Sequence, residues 1–138
     1  LNLAVVGAER ESIIPKNINN IIQKERIIEL VEGAYYTYEV YDSENFPLKT
    51  MYVTYGVKLD SQGKTVLYGI TEYKMNSGLA TRMMKGKLSK GNMDSLIAYK
   101  HYIETGEENT DIDVLRERYY EDERMNSEND LVVNYSRP

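Results

Sequence analysis

From Ala34 to Lys74 apolar and polar positions alternate with a period of two. That is the period of a β-strand with one buried and one solvated face. Ala34–Asp42 sets Tyr36, Tyr38 and Val40 on one face and Tyr35, Thr37, Glu39 and Tyr41 on the other. Leu48–Leu59 sets Met51, Val53, Tyr55, Val57 and Leu59 against Thr50, Tyr52, Thr54 and Lys58. Lys64–Tyr73 groups Val66, Tyr68 and Ile70. Between these runs, Asp42–Pro47 and Asp60–Gly63 have turn chemistry: side chains that bond their own backbone, a proline without an N–H, and a terminal glycine. Such short connections predict three antiparallel strands, adjacent in chain order.

Upstream the period changes. Ile18, Ile21, Ile22, Ile28 and Val31 recur at three- and four-residue spacing, and Ile27 and Leu30 widen the stripe. That spacing predicts a helix from Pro15 to Glu32. Pro15 suits its first turn, and Gly33 suits the position just past its end. Laid across the meander, the helix would cover the apolar face. Tyr36, Tyr38 and Tyr68 would then be core, leaving Tyr35, Tyr41 and Tyr52 as exposed aromatic contacts. Leu1–Gly7 reads as a short extra strand and Ala8–Ile14 as a connector.

Downstream, Lys85–Asn92 carries three lysines and two glycines and reads as a loop. Asn92 suits an N-cap for a helix Met93–Thr105, with Gly106 as its stop. Thr110–Asp113 resembles a capping box opening a last helix, Asp111 to about Arg124. Leu131–Tyr135 suits an edge strand. The expected fold is α+β. It has a three- to four-stranded antiparallel β-meander covered on one face by an N-terminal helix, with C-terminal helices. Residues 1–124 form one domain, and 125–138 a flexible or edge-docking tail.

Composition refines this picture. A chain of 138 residues, 41% apolar and 28% charged, can bury a core. It has no cysteine, hence neither a disulfide scaffold nor a thiolate site. No apolar run approaches a membrane span, so the expectation is no membrane and a cytoplasmic location. The net charge of −5 is unevenly spread. Lys74, Arg82, Lys85, Lys87, Lys90 and Lys100 face only Asp94 over residues 74–103, whereas residues 104–130 are strongly acidic. A dipolar chain of this kind can pair with itself or offer two surfaces to two partners.

The strongest candidate for ligand chemistry is the segment 82–91. Arg82, Lys85, Lys87 and Lys90 cluster there with Gly86 and Gly91, which suits phosphate or another polyanion. It is not a nucleotide-binding P-loop, since Leu88 follows Gly86-Lys87 where Ser or Thr is required. The bland alternative is a solvated charge run that balances the acidic C-terminal helix. The lone histidine, His101, has no nucleophile signature beside it, and the acid pairs Glu107-Glu108 and Asp111/Asp113 suit a helix N-terminus. No catalytic set, metal site or cofactor motif emerges. The expectation is a non-catalytic binding or regulatory protein that acts through protein–protein contacts, self-association included. The alternative is a nucleic-acid or polyanion binder using residues 82–91 beside the tyrosine sheet.

Overall fold

The computed structural model describes residues 4–108, 110–119 and 129–133. The protein is α+β with an antiparallel sheet. Five strands follow one another in space as in sequence: β1 (Glu9–Ile14), β2 (Ile21–Val31), β3 (Tyr35–Glu44), β4 (Leu48–Leu59) and β5 (Thr65–Met75). Helix α1 (Gly78–Thr105) and helix α2 (Ile112–Tyr119) come next, and β6 (Asn129–Val133) joins the sheet parallel to β5. Residues 120–128 and 134–138 lie outside the described residues, as do Leu1–Leu3, so the ends of the expected last helix and tail fall there.

The meander lies where alternation predicts it, and the N-terminal helix does not exist. Residues 21–31 form β2, and residues 9–14, expected as a connector, form β1. Residues 4–8 carry a turn rather than the short strand expected there. The cause of the misreading is visible in the register. Glu25 pairs with Val40, Ile27 with Tyr38 and Leu30 with Tyr36, so these β2 residues face the core side. Two of the inward positions, Gln23 and Glu25, are polar yet buried, which erases the alternation. A bulge between Ile27 and Glu29 then shifts the phase by one residue. Apolar residues at 27, 28, 30 and 31 thereby imitate helical spacing. The isoleucine content pointed the other way, since β-branched side chains favour strands. Gly33 does end an element, at φ +72°, in the turn from β2 to β3.

Sheet and helices meet in one core. Val40, Met51, Val53, Tyr55, Tyr73 and Met75 come from the strands, Met93, Leu96 and Ile97 from α1, and Leu115 and Tyr119 from α2. The β3–β4 ladder is short, pairing only Tyr35–Glu39 with Tyr52–Gly56. Beyond it the two strands part, and Phe46 of the connection and Leu48 at the start of β4 pack against the core. Helix α1 is anchored at its start by Ser77, whose Oγ accepts from the Ala80 N–H, and by Thr81. The Thr81 Oγ1 accepts from the Met75 N–H, and the Thr81 carbonyl accepts from the buried Tyr73 hydroxyl. Midway along, α1 lies close to β5. A Cβ on Gly69 would stand 2.9 Å from Asn92 Oδ1 and 3.0 Å from Tyr55 Cε1, so only glycine admits the helix at this height.

The basic segment 85–92 is not a loop. It is the middle of α1, and the helix runs through both glycines. Neither Gly86 nor Gly91 has a positive φ, and a Cβ on either would meet nothing within 4 Å. Gly86→Ala and Gly91→Ala are therefore expected to stabilise the protein by about 0.5–1 kcal/mol each, through the ordinary helix preference for alanine. Denaturant unfolding measures this. A loss of stability in both would contradict a continuous helix.

Candidate functional site

Helix α1 packs along β5 and β6, and its C-terminal turns reach across toward β4 and β3. Tyr99 of α1 makes an OH–OH hydrogen bond of 2.7 Å with Tyr36 of β3, and its ring stands edge-on to Tyr55 at 5.3 Å between centroids. Beside this contact the core side of the sheet is uncovered among the described residues, and two hollows open there. The larger, of about 580 Å³, has Leu30, Val31, Tyr55, Val57, Leu67 and Ile103 among its walls. The smaller, of about 330 Å³, is bounded by Ala8, Arg10, Glu25, Ile27 and Tyr38. Ala4 and Tyr36 belong to both, so the hollows adjoin. Leu30, Val31 and Ile103 are exposed on the larger one. Space of this size, walled by apolar and aromatic side chains with few polar groups, is the usual form of a small-ligand site.

The polar groups converge at one end. Glu25 has a buried side chain and accepts from Arg10 Nε and, at 3.3 Å, from Ser12 Oγ. Arg10 stands opposite Glu25 in the β1–β2 register, and its guanidinium carbon lies 5.2 Å from the centroid of the Tyr38 ring. Burial pulls the Arg10 guanidinium down, and the hydrogen bond and charge of Glu25 outweigh it, so Arg10 holds its proton more firmly than a free arginine. The neighbouring Arg26 turns to the other face. There Glu9 and Glu39 take its Nε, Nη1 and Nη2 hydrogens.

The tyrosine hydroxyls on the core side stay protonated. Burial pushes Tyr36 and Tyr38 well above the usual tyrosine range. It also pushes Tyr55 up to about 12, against an opposing hydrogen bond with Ser95. All three shifts are upward, so the folded protein holds these protons more tightly than the unfolded chain does. Their contribution to stability is fully present below about pH 10 and is lost as the pH rises toward 12. The thermal midpoint is expected to fall across that window together with a cooperative release of tyrosine protons. Gradual ionisation with an unchanged midpoint would contradict it.

The residues singled out by sequence lie elsewhere. Arg82, Lys85, Lys87 and Lys90 are exposed on α1 and fan over more than half of the helix circumference, because their spacing does not follow one helical stripe. Tyr35, Tyr41 and Tyr52 share the opposite face of the sheet. Tyr35 donates to Glu29 at 2.6 Å and is half-buried, as is Tyr52. Tyr41 is 40% exposed beneath the Arg26 guanidinium. The sheet thus separates the basic residues from these tyrosines, and they form no joint surface. Tyr68, expected in the core, also lies on that outer face: it pairs with Gly56, and Lys58 Nζ stands 5.2 Å from its ring centroid. Tyr36 and Tyr38 do face inward, and in place of the expected covering helix they meet the two hollows.

His101 is buried at 2% exposure between the Tyr119 hydroxyl, 3.0 Å from Nδ1, and the Glu107 carboxylate, 2.8 Å from Nε2. It ties α2 and the segment after α1 to the long helix. The paired bonds from Arg116 Nε and Nη2 to Asp94, at 2.9 and 2.6 Å, do the same on the other side. Among the described residues no group of three His, Asp or Glu side chains converges as a metal site, and no helix is long and apolar enough to cross a membrane. The chain matches no protein-family model, no curated protein and no solved structure. The reading of the site therefore rests on its geometry.

Proposed function

We propose that this chain is a non-catalytic binding protein whose ligand occupies the adjoining hollows around Tyr36. The observation that carries this reading is the combined shape and chemistry of the site: two open, mainly apolar spaces meeting at Tyr36, with a polar pair at one end. The groups present suit holding rather than transforming. The buried carboxylate is engaged by Arg10 and Ser12, and the hydroxyls of Tyr36, Tyr38 and Tyr55 are poor bases because burial keeps them protonated. A neutral apolar fluorophore such as N-phenyl-1-naphthylamine is the first probe. Saturable binding is expected, and Leu30→Trp, which places bulk on an exposed wall, is expected to weaken it at least roughly tenfold, the scale of about 1.4 kcal/mol of lost apolar contact. Absence of saturable binding, or equal binding by a Leu30→Trp variant of unchanged stability, would overturn the reading.

A second reading, contact with a protein partner or another copy of the chain, draws on the outer edge of β1. Among the described residues only β2 pairs with β1, and Ile13, Ile14 and Ile18 are exposed at its end. An open strand edge with exposed isoleucines favours strand addition. Light scattering on the parent and on Ile13→Lys separates the two. A dimer that dissociates in the variant supports edge pairing, and a parent that stays monomeric at high concentration removes it. Polyanion binding through Arg82, Lys85, Lys87 and Lys90 keeps the support of charge alone, since the four fan over more than half of the helix circumference.

A further inference from the structure

The polar end of the site has a direction, and the direction selects a ligand. Four ionic side chains border the smaller hollow: Glu9, Arg10, Glu25 and Arg26. Glu9 and Arg26 stand opposite each other on β1 and β2, and their mutual bonds lie on the outer face. On the core side, Glu25 spends one carboxylate oxygen on Arg10 Nε and the other on Ser12 Oγ, and its side chain is only 6% exposed. Glu25 is thus engaged on both oxygens and almost fully enclosed, so little of its carboxylate faces a ligand. Arg10 is different. Glu25 takes only its Nε hydrogen, and among the described residues both Nη groups meet no acceptor, while the side chain is 57% exposed. Tyr38 lines the same hollow, and its hydroxyl too has no partner among the described residues.

The hollow therefore shows a ligand chiefly donors, the Arg10 Nη groups and the Tyr38 hydroxyl, beside an enclosed carboxylate. The guanidinium is held in place by Glu25 on one side and the Tyr38 ring beneath, so little entropy is lost when it engages. Arg10 lines the smaller hollow together with Tyr36 and Tyr38, and Tyr36 is also a wall of the larger one, so the guanidinium lies near where the hollows adjoin. Beyond that junction the larger hollow is apolar, with Leu30, Val57, Leu67 and Ile103 among its walls. Resting on the binding reading above, we infer that the ligand is a small amphipathic acid. Its carboxylate would meet the Arg10 Nη groups and the Tyr38 hydroxyl, and its apolar body would pass Tyr36 into the larger hollow. A neutral apolar molecule would fill the same space and leave the donors without an acceptor; a cation would meet Arg10 with like charge.

Displacement of the neutral fluorophore by three ten-carbon probes tests this. They are decanoate, decanol and decylammonium, used at equal ionic strength on the full chain. Decanoate is expected to displace at roughly tenfold or more lower concentration than decanol, the scale of a charge-assisted hydrogen bond, and decylammonium is expected to be the weakest. The double variant Arg10→Met with Glu25→Leu removes the pair together, so no buried charge is stranded, and should erase the preference while keeping decanol binding. If decanol equals decanoate in the parent, the acid inference fails and the apolar site stands. A preference that survives in the folded double variant overturns the role of Arg10. If the fluorophore itself does not bind, the underlying reading fails first.

Discussion

Arg10→Ala is expected to destabilise the protein by about 3 kcal/mol at neutral pH, the lower end of the range for breaking a buried ion pair because Arg10 itself is half-exposed. The loss arises less from the bond than from what remains. Glu25 has an almost fully buried side chain on the core side of β2, and without Arg10 its charge keeps only the Ser12 hydroxyl. Arg10→Met with Glu25→Leu should sit much closer to the parent at pH 7 than Arg10→Ala alone. Denaturant melts of the three proteins decide. A deficit below about 1 kcal/mol for Arg10→Ala would mean that Glu25 is solvated after all.

This pair also marks the limit of what the sequence discloses. The strands β3, β4 and β5 are legible because tyrosine, valine and threonine alternate there without interruption, and because Asp60 and Gly63 write their turn plainly. The Asp60 carboxylate accepts from the Gln62 and Lys64 N–H groups at 2.8 and 2.9 Å. Alternation states which residues share a face within a strand. It does not state how the phases of neighbouring strands relate, because that is set by register, and Tyr68 was assigned to the wrong face for that reason. In β2 the local signal itself fails: Gln23 and Glu25 point inward, and the bulge near Ile28 breaks the period. The departure from the pattern is what the proposed site draws on: Glu25 faces inward and accepts from Arg10. The basic stretch misled for another reason. Gly86 and Gly91 are poor in a helix by roughly 1 kcal/mol each, and the packing of Met93, Leu96 and Ile97 on the strands outweighs them. A helix over residues 15–32 gives Arg10 and Glu25 no shared register, so only the β1–β2 pairing brings the two together.

Gly56→Ala is the complementary expectation, a loss of about 3 kcal/mol from adding one methyl group. Glycine inside β4 is a poor strand former, and no turn or positive φ calls for it. Three neighbours do. A Cβ there would stand 2.7 Å from the Ala34 carbonyl oxygen, 2.7 Å from Tyr35 Cβ and 2.8 Å from Tyr68 Cε1. The Tyr68 ring can swing away, because it lies on the outer face. The Ala34 carbonyl cannot, since it accepts the Val57 N–H at 2.8 Å and so fastens the start of β3 to β4. Relief of the clash therefore requires breaking that bond or spreading a ladder that pairs only Tyr35–Glu39 with Tyr52–Gly56. Because Ala34, Tyr35 and Gly56 also border the larger hollow, the spread should weaken the neutral fluorophore along with the fold. Tyr68→Ala combined with Gly56→Ala separates the causes: removing the ring leaves most of the deficit in place if the backbone contact is decisive. A Gly56→Ala variant within about 1 kcal/mol of the parent would mean that β3 and β4 stand further apart here, and that the hollow between Tyr35 and Tyr55 is wider than its walls indicate.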